Sequence, residues 1–231
     1  MCNAYEQDQG DLPVSFSEVR IKLKMPDDGD GGERPREAYP RLKGKFLRRA
    51  ADDSAGLYDL EEVHGRFGLV DEDAVILPHS DSKTPAYNNA RSETVARTWP
   101  FKLAYRRRCL VPMDAVIEWF GAKDKGKRTR ARVWRQDGEP LIVAGLWTYS
   151  PRLLTGALHS YCVLTTEPGG DIQGLHERQP VILEADEWRT WLDPDADPTP
   201  LFRKRPAGLL AWAPAPVTRP PRTPAEGDLF A

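Results

Sequence analysis

Four stretches of the chain place reactive side-chain types where they could act together. The first is Met1-Cys2. Methionine aminopeptidases remove Met when the next side chain is small, and removal leaves Cys2 with a free α-amine and a thiol on one carbon skeleton. An α-amine titrates near about 7.7 to 8.0 and a thiol near about 8.5, so part of each is reactive at neutral pH. An aldehyde attacked by the amine gives a Schiff base, which the adjacent thiol can close to a five-membered thiazolidine. No other residue offers that ring closure. Position alone is weak support for such a role, so the weight falls on partners elsewhere.

The second stretch, Asn88-Asn89-Ala90-Arg91-Ser92-Glu93-Thr94, is polar and turn-prone. Its amides can orient an amine or a carbonyl, and Arg91 can clamp a phosphate through paired N–H donors. A turn leading into a helix explains the same residues without chemistry. The third runs from Arg108-Cys109-Leu110-Val111-Pro112 into Ala115-Val116-Ile117-Glu118-Trp119. Strand alternation sends Glu118 to the face opposite Ile117 and Trp119. A carboxyl held against apolar surface has its pKa raised, which suits it to proton transfer; a solvent-facing strand residue is the plain alternative. The fourth is Leu164-Thr165-Thr166-Glu167-Pro168 followed by Leu175-His176-Glu177-Arg178-Gln179-Pro180-Val181-Ile182-Leu183. His176 sits on a polar loop ahead of a short apolar strand, where an imidazole can reach a site. A surface or capping histidine is its alternative, and the other three histidines have no comparable setting.

These residues need a scaffold, and 231 residues with a hydrophobic fraction of 40% are enough for one large domain with a substantial core. No stretch approaches the roughly 18 to 20 apolar residues that cross a bilayer, and the start, MCNAYEQDQG, lacks the basic and apolar regions of a secretory signal. A cytoplasmic protein with no membrane association is expected. The three cysteines, Cys2, Cys109 and Cys162, are far apart and lack metal-ligand spacing, so no disulfide framework, metal or cofactor is expected. A net charge of −2 gives no global attraction to nucleic acid. Local basic runs do exist: Lys102 with Arg106, Arg107 and Arg108, and a denser one from Lys123 to Arg135. A charge run is by itself usually a solvated face.

Strand signals dominate the middle of the chain, at residues 65–70, 114–120, 131–135, 140–147, 160–166 and 180–183. Their number and spacing suggest a sheet curled or closed on itself. Helices are predicted over 101–107, 184–192 and 199–205; in the second, Trp188, Trp191 and Leu192 share one face. Residues 26–37 read as a surface insertion and the Pro-rich stretch 214–231 as an extended tail, leaving one domain over 1–213.

Taken together and in order, Met1-Cys2, NARSET at 89–94, RCLVP to EW at 108–119, AGLW at 144–147, LTTE at 164–167 and HERQPVIL at 176–183 resemble the SOS-response-associated peptidase family, also described as abasic-site processing proteins. The resemblance spans most of residues 39–193 plus the N-terminus. It implies an α+β fold with a barrel-like mixed β core and a few peripheral helices, and a basic cleft for single-stranded DNA. It also implies roles. Cys2 would form the thiazolidine with the ring-opened sugar of an abasic site, Asn89 would orient the amine or the sugar, Glu118 would shuttle protons for ring opening and reversal, and His176 would stabilise the opened sugar. Arg91 would bind phosphate, and Arg106, Arg107 and Arg178 are further expected strand contacts of a monomer. The sequence departs from the family pattern at Asn3-Ala4, where Gly-Arg is usual, and at Arg178-Gln179-Pro180, Met113-Asp114-Ala115 and Arg66-Phe67-Gly68-Leu69. The loss of an arginine at position 4 removes an expected contact with the DNA backbone.

Three activities are compatible with these residues. The first is a covalent abasic-site sensor with lyase and self-reversal activity. The second is a thiol peptidase in which the α-amine of Cys2 serves as base for its own thiolate. The third is a non-catalytic module that binds single strands through the basic runs and needs no reactive cysteine.

Overall fold

The computed structural model describes residues 4–7, 21–22, 37–50, 60–77, 85–120 and 129–216. Cys2 and most of the insertion at 26–37 lie outside them.

Five strands close into a ring: β4 (Lys43–Arg49), β5 (Leu60–Phe67), β7 (Arg108–Met113), β10 (Leu141–Ser150) and β11 (Leu158–Thr166). Four contacts of the ring are antiparallel, and the parallel pairing of Ser160 with Arg66 and Tyr161 with Phe67 closes it. Short strands extend this sheet: β2 (Ile21–Lys22) along β5, and β6 (Asn89–Arg91) and β12 (Gln179–Pro180) along β11. A second sheet runs in the order β13 (Leu210–Pro214), β9 (Thr129–Arg135), β8 (Ala115–Phe120), β1 (Ala4–Glu6) and β3 (Glu37–Ala38). The mixed sheet expected to close on itself is thus present. The Pro-rich stretch from Pro214 begins inside β13.

Only Asp114 separates β7 from β8, so one segment passes from barrel to second sheet. Its N–H donates to Glu6 O at 2.9 Å. Beside it the buried Gln7 side chain donates to Lys45 O and Pro112 O at 3.0 and 2.8 Å and accepts from Lys45 N–H at 3.0 Å. An amide so fully used locks β1 to β4 and β7.

The barrel strands are buried on both faces, which is why β10 reads as a near-continuous apolar run. Leu110, Ala144, Cys162 and Leu164 face one core, shared with Phe101, Trp188, Trp191 and Leu192. Cys109, Val143 and Val163 face the other, shared with Tyr5, Val116, Val133 and Leu210 of the second sheet. Gly44 permits the second core to close: a Cβ there would lie 2.1 Å from the Tyr161 hydroxyl and 2.9 Å from that of Tyr5. Those phenols hydrogen-bond to each other, tying β1 to β11.

The helical expectations shrink. The helix read over 101–107 is a single turn, α1 (Phe101–Ala104), because the chain is drawn into β7 at Arg108. The stretch 184–192 splits into a 3-10 turn, Ala185–Glu187, and α2 (Trp188–Leu192), with Trp188, Trp191 and Leu192 buried as their spacing predicts. Residues 199–205 form only the 3-10 turn Thr199–Leu201; beyond it Arg203 and Arg205 reach back to the Glu187 carboxylate. The first basic run is also not a uniform surface patch. Arg108 is buried, donating to the carbonyls of Trp191, Asp193 and Ala196 at 3.3, 2.7 and 3.1 Å.

Candidate functional site

Glu118 stands on β8 with its side chain on the same face as Val116, turned toward the second core and away from Ile117, as strand alternation requires. Its cross-strand neighbour is Ala131, a small residue that leaves space above it. Glu118 is 3% exposed and lines a mostly apolar cleft together with Val116, Val133, Leu141, Ile172, Leu175 and His176.

His176 enters this cleft from the loop between the 3-10 turn Gly170–Ile172 and β12. The loop is pinned at several points. Leu175 is buried in the core, and its N–H and that of His176 donate to Ile172 O at 2.9 and 3.3 Å. The Asp171 carboxylate accepts the backbone N–H groups of Gly208, Leu209 and Leu210 at 2.8, 3.0 and 2.9 Å, bolting the turn to the start of β13. Burial pushes the Asp171 pKa up, but these N–H donors outweigh it and hold the carboxyl below its ordinary value. The Arg178 backbone meets His176 Nδ1 with both its N–H and its carbonyl oxygen, each at 3.0 Å, and so fixes the ring with Nε2 turned toward the cleft. That nitrogen lies 3.7 Å from Glu118 Oε2. The distance is too long for a hydrogen bond and short enough for an oxygen atom to bridge both groups.

Arg178 is itself clamped. Its guanidinium donates to both Glu93 oxygens at 2.7 and 2.9 Å and to the Thr165 carbonyl. Glu93 is held below the ordinary carboxylate pKa chiefly by this hydrogen bonding. Since Glu93 belongs to the NARSET stretch and Arg178 to the HERQPVIL stretch, the clamp joins two of the motifs across β11.

Asn89 pairs with Val163 in the parallel β6–β11 ladder. Ala90 and Leu164 face the first core, so Asn89 and Val163 face the second, the side on which Glu118 and His176 meet. Asn89 is half-buried and Arg91, two residues on, is exposed on the same side. Arg106 and Arg107 are placed elsewhere. They follow α1 beside the other core and pair with Asp195 and Glu72 at 2.5 and 2.8 Å. Cys2 lies outside the described residues, but Ala4 pairs with Ile117, and β1 runs toward Glu118 in its N-terminal direction. Ala4, at the position of the missing arginine, is buried at 2% exposure.

The other two cysteines offer no nucleophile. Cys109 and Cys162 are wholly buried, and burial pushes both thiols well above their ordinary pKa. Asp171 and Glu93 are the residues that sequence reasoning did not single out. Asp171 lies in a stretch the sequence reading did not treat, and Glu93 was only one letter of a polar stretch; the partners of both lie far along the chain.

A closed five-strand ring with an apposed sheet, and an acid and an imidazole meeting over an apolar cleft, define the architecture. The profile of the SOS response associated peptidase (SRAP) family matches residues 37–217, and the chain belongs to that family. The abasic site processing protein YMR114C of Saccharomyces cerevisiae is 27% identical over 218 residues, covering 84% of this chain and 56% of that protein. The abasic site processing protein YoaM of Bacillus subtilis is 32% identical over 111 residues, covering 46% of this chain and 47% of that protein. The chain therefore spans about half the length of these relatives. A crystal structure of a protein from Bordetella bronchiseptica superposes with a TM-score of 0.67 at 27% identity, covering 94% of this chain and all of that one.

Proposed function

We propose that the protein processes abasic sites in single-stranded DNA by forming a covalent bond through Cys2. The observation that carries this reading is the meeting of Glu118 and His176 at 3.7 Å over a cleft beside β1. Ala4 is two peptide units from Cys2, a span of at most about 7 Å, so the amine and thiol of residue 2 are tethered to the strand that flanks Glu118. The names of the relatives point the same way.

The chemistry follows from the groups. An abasic sugar interconverts between a closed hemiacetal and an open aldehyde. Glu118 moves the proton that opens the ring, and the His176 imidazole steadies the freed hydroxyl through Nε2. The α-amine of Cys2, exposed once Met1 is removed, attacks the aldehyde carbon and loses water to give a Schiff base. The thiol then adds across the C=N bond, its proton passing to nitrogen, and closes the thiazolidine. Elimination at the Schiff base stage gives lyase activity, and the reverse of ring closure releases the DNA. Asn89 orients the amine or the sugar, and Arg91 holds the adjoining phosphate.

Intact-mass measurement should show the purified protein lacking Met1 and gaining one oligonucleotide on incubation with single-stranded DNA that carries an abasic site. The adduct should survive denaturation and vanish in Cys2→Ala. Undiminished adduct formation by that variant would overturn the proposal.

A further inference from the structure

Beyond the cleft, the same face of the second sheet carries two aromatic side chains that the chemistry above does not use. Strand alternation on β8 places Phe120 on the side of Val116 and Glu118, and Phe120 packs against the core that holds Val116. On β13 the same alternation places Trp212 on the side of Leu210, which lines the cleft. Trp212 pairs in register with Val133, another cleft residue. The rings of Phe120 and Trp212 meet edge to face, with centroids 5.4 Å apart and planes at 68°. Between the two strands lies Ala131, opposite both Glu118 and Pro214, too small to separate the rings.

This pair is not simply core. Trp212 is 42% exposed, at the edge of the sheet. Phe120 and Thr129 are a register pair that ends the β8–β9 ladder, and the sequence between them holds Lys123, Lys125, Lys127 and Arg128 against the single acid Asp124. An exposed aromatic pair whose Phe120 leads straight into a basic stretch of sequence suits a nucleic-acid strand, since every base has a π-face and every linkage a negative phosphate. An apolar protein partner would gain nothing from those lysines.

We propose that Trp212, braced by Phe120, is a stacking platform for an unpaired base flanking the lesion, and that it supplies strand affinity where the usual arginine at position 4 is absent. The inference rests on the reading of the protein as one that holds single-stranded DNA. Stacking acts on the base and tolerates any sequence, so the platform positions the strand without choosing its context. It sits beside Glu118 on one continuous sheet face, which sets the abasic sugar over the cleft when the neighbouring base is stacked.

The test uses fluorescence anisotropy of the full chain with a labelled single-stranded oligonucleotide containing one tetrahydrofuran residue. That analogue has no aldehyde, so affinity is read without the covalent step. Trp212→Ala should weaken binding roughly 5- to 150-fold, the range for loss of one stacked base, and Trp212→Phe should recover most of it. Trp212→Leu keeps apolar bulk at the sheet edge and should bind as weakly as Trp212→Ala, which separates stacking from folding. On an oligonucleotide whose flanking bases are all replaced by tetrahydrofuran, wild type and variants should bind alike. Wild-type affinity in Trp212→Ala and Trp212→Leu, or equal weakening on the base-free strand, overturns the platform and leaves adduct formation standing. Absence of the adduct in wild type, with the Trp212 effects intact, overturns the abasic-site reading and leaves the platform.

Discussion

Glu62 and Glu118 each form a pair with a histidine, and the two pairs differ in what closes them. Glu62 and His64 sit on β5, with Oε1 and Nε2 3.1 Å apart, and Lys45 of β4 approaches the other Glu62 oxygen at 3.5 Å. Burial pushes the Glu62 pKa up, but the hydrogen bond from His64 and the charge of Lys45 more than offset it. The group is compensated within the barrel wall. Glu118 and His176 come from a strand and a loop far apart in sequence and stop at 3.7 Å over an open cleft. The members of the closed pair hydrogen-bond each other directly, whereas those of the wider pair stand 3.7 Å apart where they line the cleft. Residue types alone do not separate them; the third group does.

Glu187 extends the closed type. It accepts from Glu184 N–H at 2.9 Å and pairs with Arg203 and the buried Arg205. The comparison is sharpest if charge removal at Glu118 and at Glu187 have opposite signatures. Glu118→Gln should slow adduct formation on an abasic oligonucleotide by about 10²- to 10⁴-fold, the usual size of a lost proton-transfer group, while the melting temperature moves by only a few degrees. Timed denaturing gels with a thermal melt read both. Near-normal rates would mean that the open pair is as inert as the closed one.

At Glu187 the order reverses. Glu187→Ala strands Arg205 in the interior, and breaking a buried pair in this way costs about 3 to 5 kcal/mol. For a chain of this size the melting temperature should fall by roughly 6 to 20 °C, with the adduct rate of the folded fraction unchanged. A large loss of rate in the folded fraction would erase the distinction between groups that hold and groups that act.

Acid sharpens the same contrast more gently. Glu62 and Glu187 both have folded pKa values below their ordinary 4.5. A depressed carboxyl contributes stability that is present above its unfolded pKa and is lost as pH falls through the folded value. Melting temperature should therefore be flat from about pH 7 to 5 as far as these groups are concerned, and should drop below about 4.5. Calorimetry across pH 3 to 7 should show a shallower acid limb in Glu62→Gln, and an unchanged limb would mean that His64 and Lys45 do not compensate that carboxyl.

Some of this was legible in the sequence, and the reason is locality. The alternation around Glu118 and the Trp188–Trp191–Leu192 face follow from periods of two and 3.6 residues, which neighbours impose on each other. Strand β4 was not legible. It reads KGKFLRR, too charged to suggest a wall of a barrel, until Lys45 and Arg48 meet Glu62 and Glu61 on β5. His64 was passed over because its compensating lysine is on another strand. The parallel β5–β11 contact that closes the ring has no local signal at all, since both strands are complete without it. At the candidate site the same rule holds: Glu118 and His176 could be named singly, but the 3.7 Å between them is set by the hold of Asp171 on the start of β13 and by the clamp on Arg178.

That clamp gives the smallest and most specific effect. Arg178 fixes His176 through its backbone N–H, and Glu93 fixes Arg178 through its guanidinium, so Glu93 acts on the imidazole only through position. Glu93 is also half-exposed, so its charge is screened and little stability depends on it. Glu93→Gln retains one acceptor and loses the paired, charge-assisted contact, which should lower the adduct rate about three- to tenfold with no change in melting temperature. Glu93→Asp keeps the charge on a shorter arm and should recover part of the loss. If His176 is tuned through this route, the pH profile of the rate should shift in Glu93→Gln and return toward wild type in Glu93→Asp. A profile unmoved by either variant would make the clamp a strut between motifs and leave the Glu118–His176 spacing to Asp171 and the core beneath Leu175.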